Sequence, residues 1–291
     1  MDDYLVRVIA REAGVRGFAC FTTAMGREGA RRHDASPLSA AALSYGLTGA
    51  ALLGALLKVQ QRVAIKVQGN GPLGQMVTES DSYGHVRGYV SVSDLPSPIN
   101  IGPEQVAFAI GDQGLLTVAK DLRLKDVYRG VVELQNGHMD KELMHYLQRS
   151  EQVPSWVEIG AKVNSVGELR VAGGLLLQPL PGSDPGALDD LIQRSDDLPL
   201  LADLLADGQT PEDILRMVFG SMDYEVLEKR ALSFRCSCSW ERSKKALMLL
   251  GRAEVESLLA EGEAVVECHF CHERYYYGVE ALETILDEMS G

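Results

Sequence analysis

Apolar and polar residues change rhythm several times along this chain, and each change predicts an element. Val63, Ile65 and Val67 alternate with Ala64, Lys66 and Gln68, the two-residue period of a strand with one buried face. GNGPLG follows, then residues 75–79, a turn over 81–84, and residues 85–92. This succession reads as an antiparallel meander. Strand-like pieces recur at 105–110, 115–119, 128–133, 158–163 and 169–177, and 141–150 reads as a helix. Residues 1–180 are therefore expected to form an α+β domain, antiparallel sheet with packed helices.

One run has no charge at all. From Ala35 to Leu57 the length would cross a bilayer. Ser36, Ser39, Ser44, Thr48, Gly46, Gly49 and Gly54 dilute it, and Ala dominates over Leu. Pro37 after Ser36 marks a helix start. The run reads as a core helix buried on nearly all sides, not a membrane span.

After about Leu180 the pattern becomes acidic. PLPGSDPG is turn-rich. From Asp184 within it to Asp213, nine carboxylates face one basic residue, Arg194. Leu188, Leu191, Leu198, Leu201, Leu204 and Leu205 lie among them at helical spacing. Thr210, Pro211 and Asp213 open a further helix that ends near Phe219 and Gly220. Helices this short need a surface to lie on, so residues 181–231 are expected to be a linker of conditional order. Residues 232–291 form the third region. Helices at 241–250 and 253–260, a hairpin of 264–266 with 275–277, and a last helix at 279–289 are predicted there.

Composition narrows the function. With 28 Lys and Arg against 41 Asp and Glu, the net charge of −13 disfavours nucleic acid as a partner. The opening MDDYLVRVIAREAG lacks a basic stretch followed by an apolar run, so no export signal is expected. A reducing cytoplasm follows, where clustered cysteines bind metal or act in redox chemistry more often than they form structural disulfides.

Four of the five cysteines lie in the third region. Cys236 and Cys238 form C-x-C; 29 residues later Cys268 and Cys271 form C-x2-C. Zinc–sulfur bonds of about 2.3 Å place thiolates about 3.8 Å apart around a tetrahedron. Residues two apart in an extended segment point to one side, and residues three apart meet across a tight turn. Each pair thus supplies one edge of the tetrahedron. A region of this size has little core of its own, so a metal staple is expected. The same spacings also permit a local disulfide within each pair. Exchanging zinc for two local disulfides would release a long closure worth about 3.5 kcal/mol. A permanently structural zinc module fits the spacing equally well.

Other motifs carry less. Gly69, Gly71 and Gly74 spell G-x-G-x-x-G, but Pro72 sits inside it and a strand follows, which makes it a turn and not a dinucleotide loop. Cys268 to His272 matches the haem-attachment pattern C-x-x-C-H, yet that reading leaves Cys236 and Cys238 unexplained. A thiol–disulfide oxidoreductase using Cys268 and Cys271 is the alternative function, although the motif lacks the βαβ setting of a thioredoxin-like site. Cys20, in GFACFTT, reads as a small buried hydrophobe. His33, His85, His138 and His145 are scattered as structural or surface residues, and His269 and His272 as incidental neighbours of the thiols. No catalytic set emerges.

The cysteine context FRCSCSWERSKKALMLLG and VECHFCHERYYY resembles the redox-regulated 33-kilodalton heat-shock chaperone family. The resemblance extends along the chain through EGARRHDASPLSAAALSYGLTGAALLGALLK, VQGNGPLG, GHVRGYV, SEQVPS, AGGLLLQPLPG and TPEDILRMVFG. His272 departs from the polar, uncharged residue expected at its position. The resemblance implies an ATP-independent holdase, not an enzyme, that binds unfolded or partly folded client proteins under oxidative stress. In the reduced, inactive form Cys236, Cys238, Cys268 and Cys271 would hold one Zn2+. Peroxide or hypochlorite would pair Cys236 with Cys238 and Cys268 with Cys271, release the zinc and unfold the linker. The active form would be a homodimer.

Overall fold

Residues 2–124, 126–184 and 186–289 are described by a computed structural model. The chain opens with a hairpin, β1 (Tyr4–Ala10) and β2 (Val15–Phe21), then α1 (Thr23–Arg32) and α2 (Pro37–Gly54). The predicted meander follows as β3 (Arg62–Gly69), β4 (Gln75–Asp81) and β5 (His85–Val90). Next come α3 (Pro103–Ile110), β6 (Gly114–Asp121), β7 (Tyr128–Glu133), α4 (Met139–Ser150), β8 (Trp156–Val163) and β9 (Leu169–Pro179). Three short helices, α5 (Asp189–Asp196), α6 (Leu201–Ala206) and α7 (Pro211–Phe219), precede β10 (Glu225–Ala231) and β11 (Ser233–Phe234). The remainder is α8 (Trp240–Leu249), α9 (Arg252–Glu261), β12 (Glu263–Glu267), β13 (Arg274–Gly278) and α10 (Val279–Glu288). The class is α+β. Two compact units form, Met1–Arg235 and Cys236–Gly291, and the acidic helices belong to the first.

The first unit holds two sheets. One has strand order β10-β1-β2-β9-β8, and the other β11-β5-β4-β3-β6-β7. All neighbours are antiparallel except β11, which runs parallel to β5. The uncharged helix α2 packs on β8 and β9 of the first sheet and on β3, β4 and β5 of the second. It is long and apolar enough to cross a membrane, yet 94% of it is buried within the protein. Its few polar groups are satisfied internally. Ser44 Oγ donates to the Ala40 carbonyl at 2.7 Å, and the Thr48 and Thr22 hydroxyls share a bond of 2.7 Å.

The first sheet is covered on both faces. Phe18, Ala172 and Leu176 face the α2 core, whereas Val15, Leu175 and Leu177 belong to a second apolar cluster. This double burial makes β9 nearly continuously apolar, a pattern otherwise typical of parallel sheets. The second cluster is closed by α5, α6 and α7, through Leu191, Leu205, Leu215, Val218 and Phe219. Polar bonds fix the cover at a few points. Thr210 and Asp213 close a capping box at the start of α7, with bonds of 3.0 and 3.2 Å. Arg194, the basic residue among the carboxylates, donates to the Phe219 carbonyl at 2.7 Å and so caps the end of α7. Tyr4 OH donates to Glu212 at 2.6 Å, and Lys229 reaches the other oxygen at 2.9 Å.

One expectation fails. Residues 105–110 are not a strand but most of α3. Pro103 at the first helical position, the Gly102 N–H bonded to Gln105 Oε1 at 2.9 Å, and Gly111 at φ 90° bound the helix. Val106, Ala109 and Ile110 are buried while Phe108 is 73% exposed, the three-and-four spacing of a helix face.

The glycine motif is a close crossing of backbones. A Cβ at Gly69 would collide with the Ile110 carbonyl, and one at Gly71 with the Ala109 carbonyl. Gly71→Ala is expected to cost about 1–3 kcal/mol by overpacking. Calorimetry of the first unit's transition should show a midpoint lowered by roughly 2–10 °C.

Candidate metal centre

Two local structures bring the thiols forward. Residues 235–239 lack regular structure and lead into α8, which Ser239 caps by accepting the Arg242 N–H at 3.3 Å. Cys236 and Cys238 lie on this stretch. The second pair sits at the tip of the β12–β13 hairpin. There the Cys268 carbonyl accepts the N–H groups of Cys271 at 3.3 Å and His272 at 2.8 Å. His272 takes φ 53° to complete the turn, a left-handed conformation uncommon for residues other than glycine.

Aromatic packing holds the two segments together. The Trp240 ring stacks on Tyr277 at a centroid distance of 4.1 Å. Tyr277 OH shares a 2.5 Å bond with Ser243 Oγ and meets the Trp240 carbonyl at 3.1 Å. Behind them Leu247, Val255, Leu282 and Ile285 form a small separate core.

All four sulfurs lie within 4.8 Å of one another. The Cys236–Cys268 separation is 3.7 Å and the Cys238–Cys271 separation 3.3 Å. Both short approaches therefore join one pair to the other. The first matches the edge of a zinc–thiolate tetrahedron, about 3.8 Å. Tyr275 OH donates to Cys238 Sγ at 3.1 Å. Burial, with the neighbouring thiols adding to it, raises the pKa of Cys268 and Cys271. Four adjacent thiolates repel one another, and a bound dication offsets that repulsion. The donor set, four sulfurs with Tyr275 hydrogen-bonded to one, fits a soft or borderline tetrahedral ion.

Among the described residues, this cluster contains no histidine nitrogen. His272 instead lies 3.8 Å from Glu267. Cys20 belongs to the first unit, buried in β2 with its thiol pushed up to about 12 by burial. His33 is buried, His85 meets Asp81 at 2.9 Å, and His138 precedes α4 beside Glu104 at 3.5 Å. Tyr275 and Trp240 were not singled out from sequence. Their proximity to cysteines in CSW and CHERYYY was the available cue.

The Hsp33 protein family model matches residues 3–278. The 33 kDa chaperonin of Geobacter sulfurreducens is 42% identical over 291 residues, covering 100% of this chain and 97% of that protein. The 33 kDa chaperonin of Bacillus subtilis is 38% identical over 288 residues, covering 98% and 99%. The crystal structure of the 33 kDa chaperonin from Thermotoga maritima superposes with a TM-score of 0.89 at 31% identity, covering 99% of each chain.

Proposed function

The chain belongs to the Hsp33 family of chaperones, and from that premise we propose that it is a redox-regulated, ATP-independent holdase of the cytoplasm. It binds unfolding client proteins under oxidative stress and is not an enzyme. The observation that carries the redox part is the meeting of four thiols from two distant segments in one small unit. When reduced, Cys236, Cys238, Cys268 and Cys271 hold one zinc ion as thiolates. The ion ties the two segments into a single node, a link the small core supplements only modestly.

Oxidation removes the ligands. Two thiolates and two protons meet one peroxide, a sulfur–sulfur bond forms, and two waters leave. Pairing Cys236 with Cys238, and Cys268 with Cys271, consumes the whole donor set. Neither bond spans the gap between segments, so a closure worth about 3.5 kcal/mol is lost. The acidic helices α5–α7 then lose order, and the apolar sheet face beneath them becomes the client surface and the seam of an oxidised homodimer.

Pairing can be tested directly, because sulfur approaches of 3.7 and 3.3 Å run between the pairs. Peroxide treatment at raised temperature is expected to release one zinc per chain. Suppression of a client's light scattering should appear in parallel. Mass-spectrometric mapping should find the 236–238 and 268–271 bonds. Zinc retained after oxidation, or 236–268 and 238–271 bonds that keep the segments stapled, would overturn the mechanism.

A further inference from the structure

The strand β7 ends the second sheet with one side unpaired. It is bonded to β6 in antiparallel register, with Val132 opposite Leu116 and Gly130 opposite Val118. Just beyond, the Leu134 N–H donates to the Gly114 carbonyl at 3.0 Å. Antiparallel alternation then turns the backbone groups of Val132 and Gly130 toward β6, and those of Arg129, Val131 and Glu133 outward. Gln135 Nε2 closes one outward carbonyl, that of Glu133, at 3.1 Å. Among the described residues the outward N–H and C=O groups of Arg129 and Val131 meet no protein partner.

A groove runs along this edge. It has a volume of about 580 Å³, with Val131 and Glu133 on one wall and His145, Arg149 and Ser150 of α4 on the other. Its walls are fixed before anything binds. The Glu142 carboxylate, fully buried, accepts the N–H groups of Gln135, Asn136 and Gly137 at 2.8–2.9 Å, which holds the β7–α4 connection. Tyr128 OH meets Ser150 Oγ at 3.0 Å at the other end. Such preorganisation lowers the cost of binding.

Charge indicates what fits. His145 and Arg149 are one helical turn apart on α4, and among the described residues neither has an ion-pair partner, in a chain of net charge −13. On the other face of β7, Val131 is 50% exposed. A strand added beside β7 would alternate its side chains between these two faces. Those level with Gly130 and Val132 would face α4, and those level with Val131 would lie beside that apolar side chain.

We propose that the β7 edge is a strand-addition site for an extended polypeptide segment in which acidic and apolar residues alternate. The segment pairs with the outward backbone of Arg129 and Val131, sets its carboxylates toward Arg149 and His145, and lays its apolar side chains beside Val131. An amphipathic strand released from an unfolding protein has this pattern. The inference rests on the holdase reading and adds a second client site, specific for this class of segment, besides the sheet face beneath α5–α7.

Titration of the full-length chain with a fluorescein-labelled ten-residue peptide of alternating Val and Glu, followed by anisotropy, tests it. Val131→Pro removes an outward N–H without touching the β6 ladder, and proline is tolerated on such an edge. It is expected to weaken the peptide about tenfold, as loss of a backbone bond at the seam requires. Arg149→Glu should weaken the same peptide and strengthen one of alternating Val and Lys, an inversion that misfolding cannot produce. Parental affinity for both peptides in both variants would overturn the site. So would a Val131→Pro variant that keeps peptide affinity but loses the oxidised dimer, since the edge would then join copies of this chain. The holdase reading is judged separately, by whether the oxidised parent suppresses client scattering.

Discussion

Cys268→Ser is expected to abolish stoichiometric zinc binding and to unfold residues 236–289. Three thiolates remain in the variant, and the hairpin tip loses the sulfur 3.7 Å from Cys236. Structural zinc sites contribute about 10–16 kcal/mol of apparent binding free energy. The second unit's own core, centred on Leu247, Val255, Leu282 and Ile285, is too small to replace that. Zinc content by atomic absorption and the dispersion of amide NMR signals from residues 236–289 measure the two effects. Zinc at parental stoichiometry in the variant would remove Cys268 from the ligand set.

Phe219→Ala is expected to activate the protein without oxidant. Phe219 is fully buried at the end of α7, its ring against Gly17 and 5.1 Å from the Tyr224 ring. Truncation of such a side chain costs about 3–5 kcal/mol. The polar ties that remain on α7, namely the capping box, the Tyr4 and Lys229 bonds to Glu212 and the Arg194 bond to the residue 219 carbonyl, contribute about 1 kcal/mol each. The cover over the first sheet therefore detaches at a temperature where the parent keeps it. Reduced, zinc-loaded variant should suppress client scattering that the reduced parent does not. If the variant still needs peroxide, the client surface does not lie under α7.

Much of this architecture was legible because its signals are local. The alternation of Val63, Ile65 and Val67, the charge-free run after Ala35 and the leucines among carboxylates each state a period and a face. The cysteine spacing states which sulfurs can share an edge. What escaped depended on distant partners. Residues 105–110 are apolar enough for a strand, and only the Gly102–Pro103 start and the Gly111 stop tip them to a helix. The continuous burial of β9 reveals a strand, but not that α2 covers one face and α5–α7 the other. Pairing of β1 with β10 joins residues more than 200 apart, for example Tyr4 with Ala231, and no local pattern encodes it. Nor does spacing reveal that Cys236 comes within 3.7 Å of Cys268 and Cys238 within 3.3 Å of Cys271.

The two-sided burial of β9 has a consequence for reversibility. Ala172 and Leu176 pack in the α2 core, on the face opposite the one that α5–α7 cover. On the proposed mechanism, departure of α5–α7 would strip one layer and leave the β2–β9 register, packed on α2, in place. The stripped face would then be a standing template, to which the helices could return once the thiols are restored. Memory of the resting state would be stored in the half of the sheet that faces α2.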